Sequence, residues 1–195
     1  MTPETRTNFF VLTGASGSGK SSIIAALGAR GYLCVEEIGR QVVRDEVAAG
    51  SDATPWQNRE KFMGRVLARS VEAFGAITER ASPVFFDRSI PECIGSALVA
   101  GVAPAEHRLR ATREYRYNRT VFVTSPWPEI YEVDAERRHS FQEGVEYHRA
   151  ELMAYRACGY ELLAVPRAPV EARVEFILER VRAGASGTSG VGLLP

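Results

Sequence analysis

The stretch Gly14-Ala15-Ser16-Gly17-Ser18-Gly19-Lys20-Ser21 constrains this chain more than any other part of it. It follows a short apolar run, Phe9 to Thr13, that reads as a buried parallel strand. It precedes Ile23, Ile24 and Leu27, an apolar stripe at helical spacing. Glycines between a strand and a helix permit a loop whose backbone N–H groups turn inward, while the helix aims its positive dipole end at the same point. Gly, four residues, Gly, Lys, then Ser or Thr is the Walker A pattern of phosphate-binding loops. Gly14, Ser16, Gly17, Ser18, Gly19, Lys20, Ser21 and Ser22 form the expected nucleotide-binding set, with Lys20 reaching the β- and γ-phosphates of ATP and Ser21 ligating Mg²⁺. A Gly-rich turn that binds nothing is the competing reading.

Alternation of short apolar runs and helical stripes continues along the chain. Tyr32 to Val35, Pro83 to Phe86, Thr120 to Val123 and Tyr160 to Val165 read as four further strands. Helices are expected from Ile38 to Ala49, from Thr54 to about Arg80, from Ser89 onward, over an Arg-rich stretch ending near Tyr117, over Phe141 to Leu152, and over Val170 to Val181. Thr54-Pro55-Trp56-Gln57 and Ser89-Ile90-Pro91-Glu92 each read as a capping box opening a helix. Phe141, Val145 and Leu152 are expected to line one side of their helix. The pattern predicts an α/β fold of three layers, with a mainly parallel five-stranded sheet and ligands at the carboxyl ends of the strands. Residues 1–183 are expected to form one domain, with a helical substrate region over about 38–82, a lid over about 125–158, and a Gly/Ser-rich tail over 184–195.

Charge narrows the class of partner. Lys plus Arg and Asp plus Glu both total 24, so no global positive field exists to drive sequence-independent binding of nucleic acid. Lys20 and Lys61 are the only lysines, leaving the cationic side to arginine, whose planar fork suits phosphate and carboxylate. Cys34, Cys93 and Cys158 lack metal-ligand spacing and read as free thiols of a reducing compartment. With no secretory h-region and no apolar window long enough to span a bilayer, the expected location is cytoplasmic, with no membrane partner.

Magnesium needs a carboxylate beside the loop. Asp87, at the end of Val84-Phe85-Phe86, suits that role, with a simple helix or turn cap as the alternative. Glu36 and Glu37 end the second strand; one of them could orient an acceptor hydroxyl or take its proton, or both could be a surface pair favoured by a helix dipole. Arg88, and Arg137 with Arg138 in the lid region, are candidates to stabilise a transferring phosphoryl group. Arg108, Arg110, Arg113, Arg116 and Arg119 spread around a helix and read first as a solvated surface. The stripe from Trp56 to Ile77 reads as core, with Trp56 placed where it could line a pocket.

Four blocks in order, the Walker A segment, Val35 to Arg40, Phe85 to Glu92, and Pro126 to Glu129 followed by Asp134 to Arg138, resemble the AAA_28-type P-loop ATPases. That group includes the ribosylnicotinamide kinase domain of a bacterial regulator of NAD biosynthesis. The resemblance spans roughly residues 8–182 and implies a fold similar to nucleoside and nucleoside-monophosphate kinases. By position, Glu36 or Glu37 looks like the catalytic acid of those kinases and Asp87-Arg88 like their strand-end Asp-Arg.

Two functions follow. The first is a kinase that transfers the γ-phosphate of ATP, with Mg²⁺, to a nucleoside-like or nucleotide-like small molecule. The second is an ATP-hydrolysing switch that acts through a protein partner. A homodimer is compatible with either. A motor of a hexameric ring is disfavoured, since no small helical domain follows the fifth strand.

Overall fold

The computed structural model describes residues 3–131 and 140–185. Five strands form one sheet: β1 Phe9–Gly14, β2 Leu33–Val35, β3 Val84–Asp87, β4 Thr120–Thr124 and β5 Glu161–Val165. Their order is β2-β3-β1-β4-β5 and every pairing is parallel. Seven α-helices accompany them among the described residues: α1 Lys20–Ala29, α2 Ile38–Ala48, α3 Arg59–Ala76, α4 Gly95–Val99, α5 Glu106–Glu114, α6 Phe141–Ala157 and α7 Val170–Ala185. A two-residue parallel bridge, Glu4–Thr5 with Tyr115–Arg116, lies apart from the sheet and has no signal in the sequence.

The period-two geometry of a strand divides the core into two layers. Phe9 and Val11 of β1 face a cluster with Phe74, Phe86, Ile90, Tyr117 and Tyr155, under α3, α5 and α6. Phe10 and Leu12 face the opposite cluster, with Ile23, Leu27, Phe85, Phe122, Val174 and Ile177 of α1 and α7. All six residues of β1 are buried, as the central strand of a doubly covered sheet must be.

Several local expectations need correction. Thr54 does accept from the Gln57 N–H at 3.3 Å, but it closes only a turn. Asn58, with φ −143°, interrupts the backbone there, and its side chain caps α3 by accepting from Lys61 N. That helix ends at Ala76 rather than near Arg80, since Ile77 is already extended. Ser89 makes no capping hydrogen bond, and a 3₁₀ turn over Ile90–Ile94 follows in place of a regular helix start. Its hydroxyl instead meets Tyr155 Oη at 2.9 Å.

On α6 the buried positions are Gly144, His148, Ala150, Ala154 and Tyr155, while Phe141, Val145 and Leu152 are half-buried. Small residues face inward because α4 comes very close: a Cβ on Gly95 would lie 2.8 Å from the Ala150 carbonyl oxygen. Arg108 is not a solvated surface group. It is 6% exposed, and it donates to Glu60 Oε1 at 2.6 Å and to the Cys93 carbonyl at 3.5 Å. Arg116 likewise packs its guanidinium over Tyr160.

Phe74 is fully buried, with edge-on contacts to Phe9, Tyr115 and Tyr117 at centroid distances of 5.1, 5.4 and 5.1 Å. Its removal leaves a cavity between α3 and the sheet. Phe74→Ala is expected to lower unfolding free energy by about 3–5 kcal/mol in urea denaturation, and a loss under about 1 kcal/mol would show that this layer can collapse around the gap.

Candidate active site

Parallel pairing of β1 with β3 sets Leu12 opposite Asp87, and pairing with β4 sets Gly14 opposite Thr124, so the carboxyl ends of three strands meet under one loop. Gly14 has φ 131°, and a Cβ there would lie 2.1 Å from the Thr124 carbonyl oxygen, so only glycine fits. Gly19 sits at the N-cap of α1 in the left-handed conformation. No side chain caps this helix and no acid occupies its first turn, so its leading N–H groups are left for an anion. The loop is braced from below: the Ser18 hydroxyl contacts the Ala15 carbonyl and Thr124 Oγ1, each at 2.6 Å. Arg173 of α7 braces it from the side, donating to Ser18 O at 3.1 Å with its guanidinium over Trp127. Arg173 carried no signal in the sequence.

Lys20 is buried and folds back on the loop, donating to Gly14 O at 2.8 Å and Ala15 O at 2.9 Å. Burial, and then the nearby Arg88 charge, hold its pKa below the ordinary lysine value. Ser21 Oγ lies 3.4 Å from Asp87 Oδ2. Asp87 is 3% exposed, and its Oδ1 is buried with no protein partner. Burial pushes this carboxyl up to about 6, against the pull of Lys20. A hydroxyl and an unpartnered carboxylate oxygen beside a phosphate loop are a donor set that fits a magnesium ion. Ser22 is exposed and Ser16 lines the adjoining cavity.

Arg88 is the charge centre of the site. It follows β3 with φ 72°, an uncommon conformation for a residue with a side chain. Its Nε donates to Glu37 Oε1 at 3.0 Å and its Nη1 to Glu92 Oε2 at 2.7 Å and to Glu151 Oε1, while Nη2 lies 3.4 Å from Gly14 O. Burial opposes its charge, but the carboxylates of Glu151, Glu92, Glu37 and Asp87 hold its pKa well above the ordinary arginine value.

The two glutamates at the end of β2 part company. Glu36 is exposed, whereas Glu37 lines the cavity between Arg88 and Arg40, the latter donating to Oε2 at 3.1 Å. Burial raises the Glu37 pKa, yet Arg88, Lys20 and Arg40 together bring it below the ordinary glutamate value. Glu92, read from the sequence as a capping-box acid, and Glu151, which the sequence did not single out, both belong to the site. Glu92 Oε1 accepts from Thr13 Oγ1 at 2.7 Å and Tyr155 Oη at 3.0 Å. Glu151 is pushed up to about 8 by burial, and its Oε2 is buried without a partner.

Beyond the strand tips a cavity of about 470 Å³ opens, lined on one side by Ile38, Phe62, Met63 and Val66 and at its rim by Trp56 and Tyr147. This volume lies within the range of small-molecule sites. Arg59 of α3 stacks on Tyr147 of α6 at 5.1 Å across that rim. Arg137, Arg138 and the remainder of 132–139 lie outside the described residues.

Residues 9–173 match the AAA_28 family, an AAA domain. No curated protein matches the sequence. Among solved structures, thymidylate kinase from Candida albicans is similar with TM-score 0.60 at 12% identity, covering 97% of this chain and 97% of that one. Deoxyadenosine kinase from M. mycoides, bound to its products, gives TM-score 0.58 at 12% identity, covering 90% and 98%. Shikimate kinase from Aquifex aeolicus gives TM-score 0.53 at 14% identity, covering 92% and 99%. The fold is thus the P-loop α/β fold that these kinases share. Among the described residues no helix is long and apolar enough to cross a membrane.

The raised Asp87 pKa has a definite sign in stability. A carboxyl that binds its proton more tightly when folded favours the native state at low pH and loses that advantage as pH rises from about 4 through about 6. Asp87→Asn, which keeps the shape and removes the charge, is expected to raise neutral-pH stability by about 1–3 kcal/mol. The gain should shrink below pH 6 in denaturation measured across pH. A variant less stable than wild type at pH 7 would contradict this electrostatic assignment.

Proposed function

The chain belongs to the AAA_28 family of AAA domains, and from that premise we propose that it is an ATP-dependent kinase, transferring the γ-phosphate to a hydroxyl of a small molecule held in the cavity beside Arg88. The observation that carries this reading is the junction of two half-sites: an uncapped loop–helix turn with Lys20, and a cavity reaching Glu37 and Arg88 at the same strand tips. Kinases of this fold among the similar structures act on nucleosides, nucleotides or shikimate, as their names state, which supports a small acceptor of that size.

The roles follow from charge and position. Backbone N–H groups from Ser16 to Ser22 cradle the phosphates, and Lys20 exchanges the Gly14 and Ala15 carbonyls for phosphate oxygens. Ser21 and Asp87 would hold Mg²⁺, which neutralises charge on the β- and γ-phosphates when bound. Glu37, kept ionised by two arginines, orients the acceptor hydroxyl and takes its proton. Arg88 holds Glu37 in place and sets positive charge beside the transferring group. An acceptor filling the cavity would displace water, the competing nucleophile, from beside the γ-phosphate. Arg137 and Arg138, the candidates that the sequence offers outside the described residues, would add to the charge compensation on the transferring group. The free thiols and the dependence on ATP suit the cytoplasm.

A panel of nucleosides, nucleotides and small alcohols incubated with ATP and Mg²⁺ should contain a compound whose phosphorylated product appears as ADP forms. Glu37→Gln should slow that turnover by roughly 10²–10⁴-fold while ATP binding persists. Slow ADP release that no panel compound accelerates would refute the kinase reading. Lys20→Ala should abolish ATP binding in calorimetry while leaving the far-UV circular dichroism unchanged. Wild-type affinity in that variant would remove Lys20 from the site.

A further inference from the structure

His148 has no part in the roles assigned above, yet its surroundings are those of a ligand contact. It is 8% exposed on α6, and its Nδ1 is buried with no partner among the described residues. An imidazole nitrogen left unpaired inside a protein is destabilising, and a ligand that supplied the missing hydrogen bond would remove that penalty.

The direction of α6 locates the ring. This helix carries the chain back from β4 to the start of β5, so it runs against the parallel strands, and residues earlier along it stand farther toward the carboxyl ends where the phosphate loop lies. Tyr155, Glu151, His148 and Gly144 recur at three- and four-residue spacing and share one face. Low on that face Tyr155 reaches Ser89 and Glu92, just past β3, and Glu151 reaches Arg88. His148 is the next turn up, about 4.5 Å farther along the axis, on the side of the loop and Lys20.

The charges that bear on the ring agree with this placement. Burial, then Lys20 and Arg88, press its pKa down to about 4, so the ring is neutral near pH 7. The titratable groups around this part of α6 are Lys20 at the head of α1, Asp87 and Arg88 at the end of β3, Glu92 and Cys93 on the 3₁₀ turn, Glu37 before α2, and Tyr147, Glu151 and Tyr155 on α6 itself. Neither α4 nor β1 brings any. Glu151 is pushed up to about 8, so near pH 7 it gives the ring little countercharge. A bound triphosphate reverses this balance, because its negative charges outweigh the two cations and favour a protonated imidazole. With no protein partner to hold Nδ1, the ring can turn about its broad χ2 torsion and point an N–H at a phosphate oxygen.

Resting on the reading of Gly14 to Ser21 as a nucleotide loop, we propose that His148 is a further phosphate-binding residue: neutral in the free protein, it takes one proton from solvent as the triphosphate binds and donates to the terminal phosphate as imidazolium. The site thereby gains a cation from α6 only when nucleotide is present.

The test uses the full chain, a non-hydrolysable ATP analogue with Mg²⁺, and nitrogen-15 NMR of the three imidazole rings, His107, His139 and His148. His148→Asn assigns the ring by loss of its signals; should that variant not fold, His107→Gln and His139→Gln assign it by elimination. At pH 5.5 the His148 ring should be neutral in the free protein and mostly protonated in the complex, an upward shift of about 1.5–2 pH units. Calorimetry at that pH, in buffers of different ionisation enthalpy, should show wild type taking up at least about half a proton more than His148→Asn on binding the analogue. A ring that stays neutral at pH 5.5 with the analogue bound overturns the proposal, as does equal proton uptake by the two proteins. If the analogue does not bind wild type at all, the loop is no nucleotide site, and the reading on which this proposal rests falls with it.

Discussion

The site depends on β1 being paired in parallel on both sides, to β3 and to β4. That arrangement brings the phosphate loop, the Asp87 carboxylate and the Thr124 hydroxyl to one edge of the sheet, although they are far apart in sequence. The fit is tight enough that Gly14 has no room for a side chain against Thr124. Ladder geometry also explains Arg88. Its N–H still bonds to the Leu12 carbonyl at 2.9 Å, extending the β3 pairing by one residue, after which the chain must turn away with φ 72° to start the next segment. Three carboxylates gather on its guanidinium and fix where it points.

Burying so many charges is not a way to gain stability, since desolvation opposes each of them. What the cluster provides is fixed orientation. Two acids about the same buried cation differ in proton affinity because their immediate partners differ. Glu37 has a guanidinium on each oxygen and is kept ionised. Asp87 has only the Ser21 hydroxyl at 3.4 Å and one bare oxygen, so burial dominates and its pKa rises to about 6. A base that stays charged and a carboxylate that welcomes a cation are the two properties that the roles proposed for Glu37 and Asp87 ask of these positions.

Much of the frame was legible in the sequence because period-two and helical apolar patterns are local. All five strands fall where the runs Phe9 to Thr13, Tyr32 to Val35, Pro83 to Phe86, Thr120 to Val123 and Tyr160 to Val165 place them, to within about two residues. Misreadings occurred where a side chain with local capping chemistry found a distant partner. Ser89 turned to Tyr155, and Glu92 to Thr13, Arg88 and Tyr155, so the Ser-x-x-Glu pattern served the site and not a helix cap. Glu151 and Arg173 were invisible for the same reason. Each acts across more than sixty residues of chain, on Arg88 and on Ser18, and nothing nearby in sequence marks such a contact. Glu36 and Glu37 could not be told apart by type. The backbone separates them, turning one toward Arg88 and the other to solvent.

Phosphate loops serve switches and motors as well as kinases, so the loop by itself does not select a function. The selective element is the cavity that continues from it. A switch needs a surface whose order changes with the nucleotide, whereas here Glu37 and Arg88 stand at the seam between the loop and a cavity lined in part by α2, α3 and α6. The ion pairs at that seam connect α2, β3 and α6: Glu37 precedes α2, Arg88 follows β3, and Glu151 lies on α6. A ligand entering the cavity must engage or rearrange this network, and the same network touches the loop through Arg88 and Gly14. Occupancy of the cavity and geometry at the phosphates are in this way physically coupled, which is the arrangement a transferase requires in order to hold back hydrolysis until its acceptor is in place.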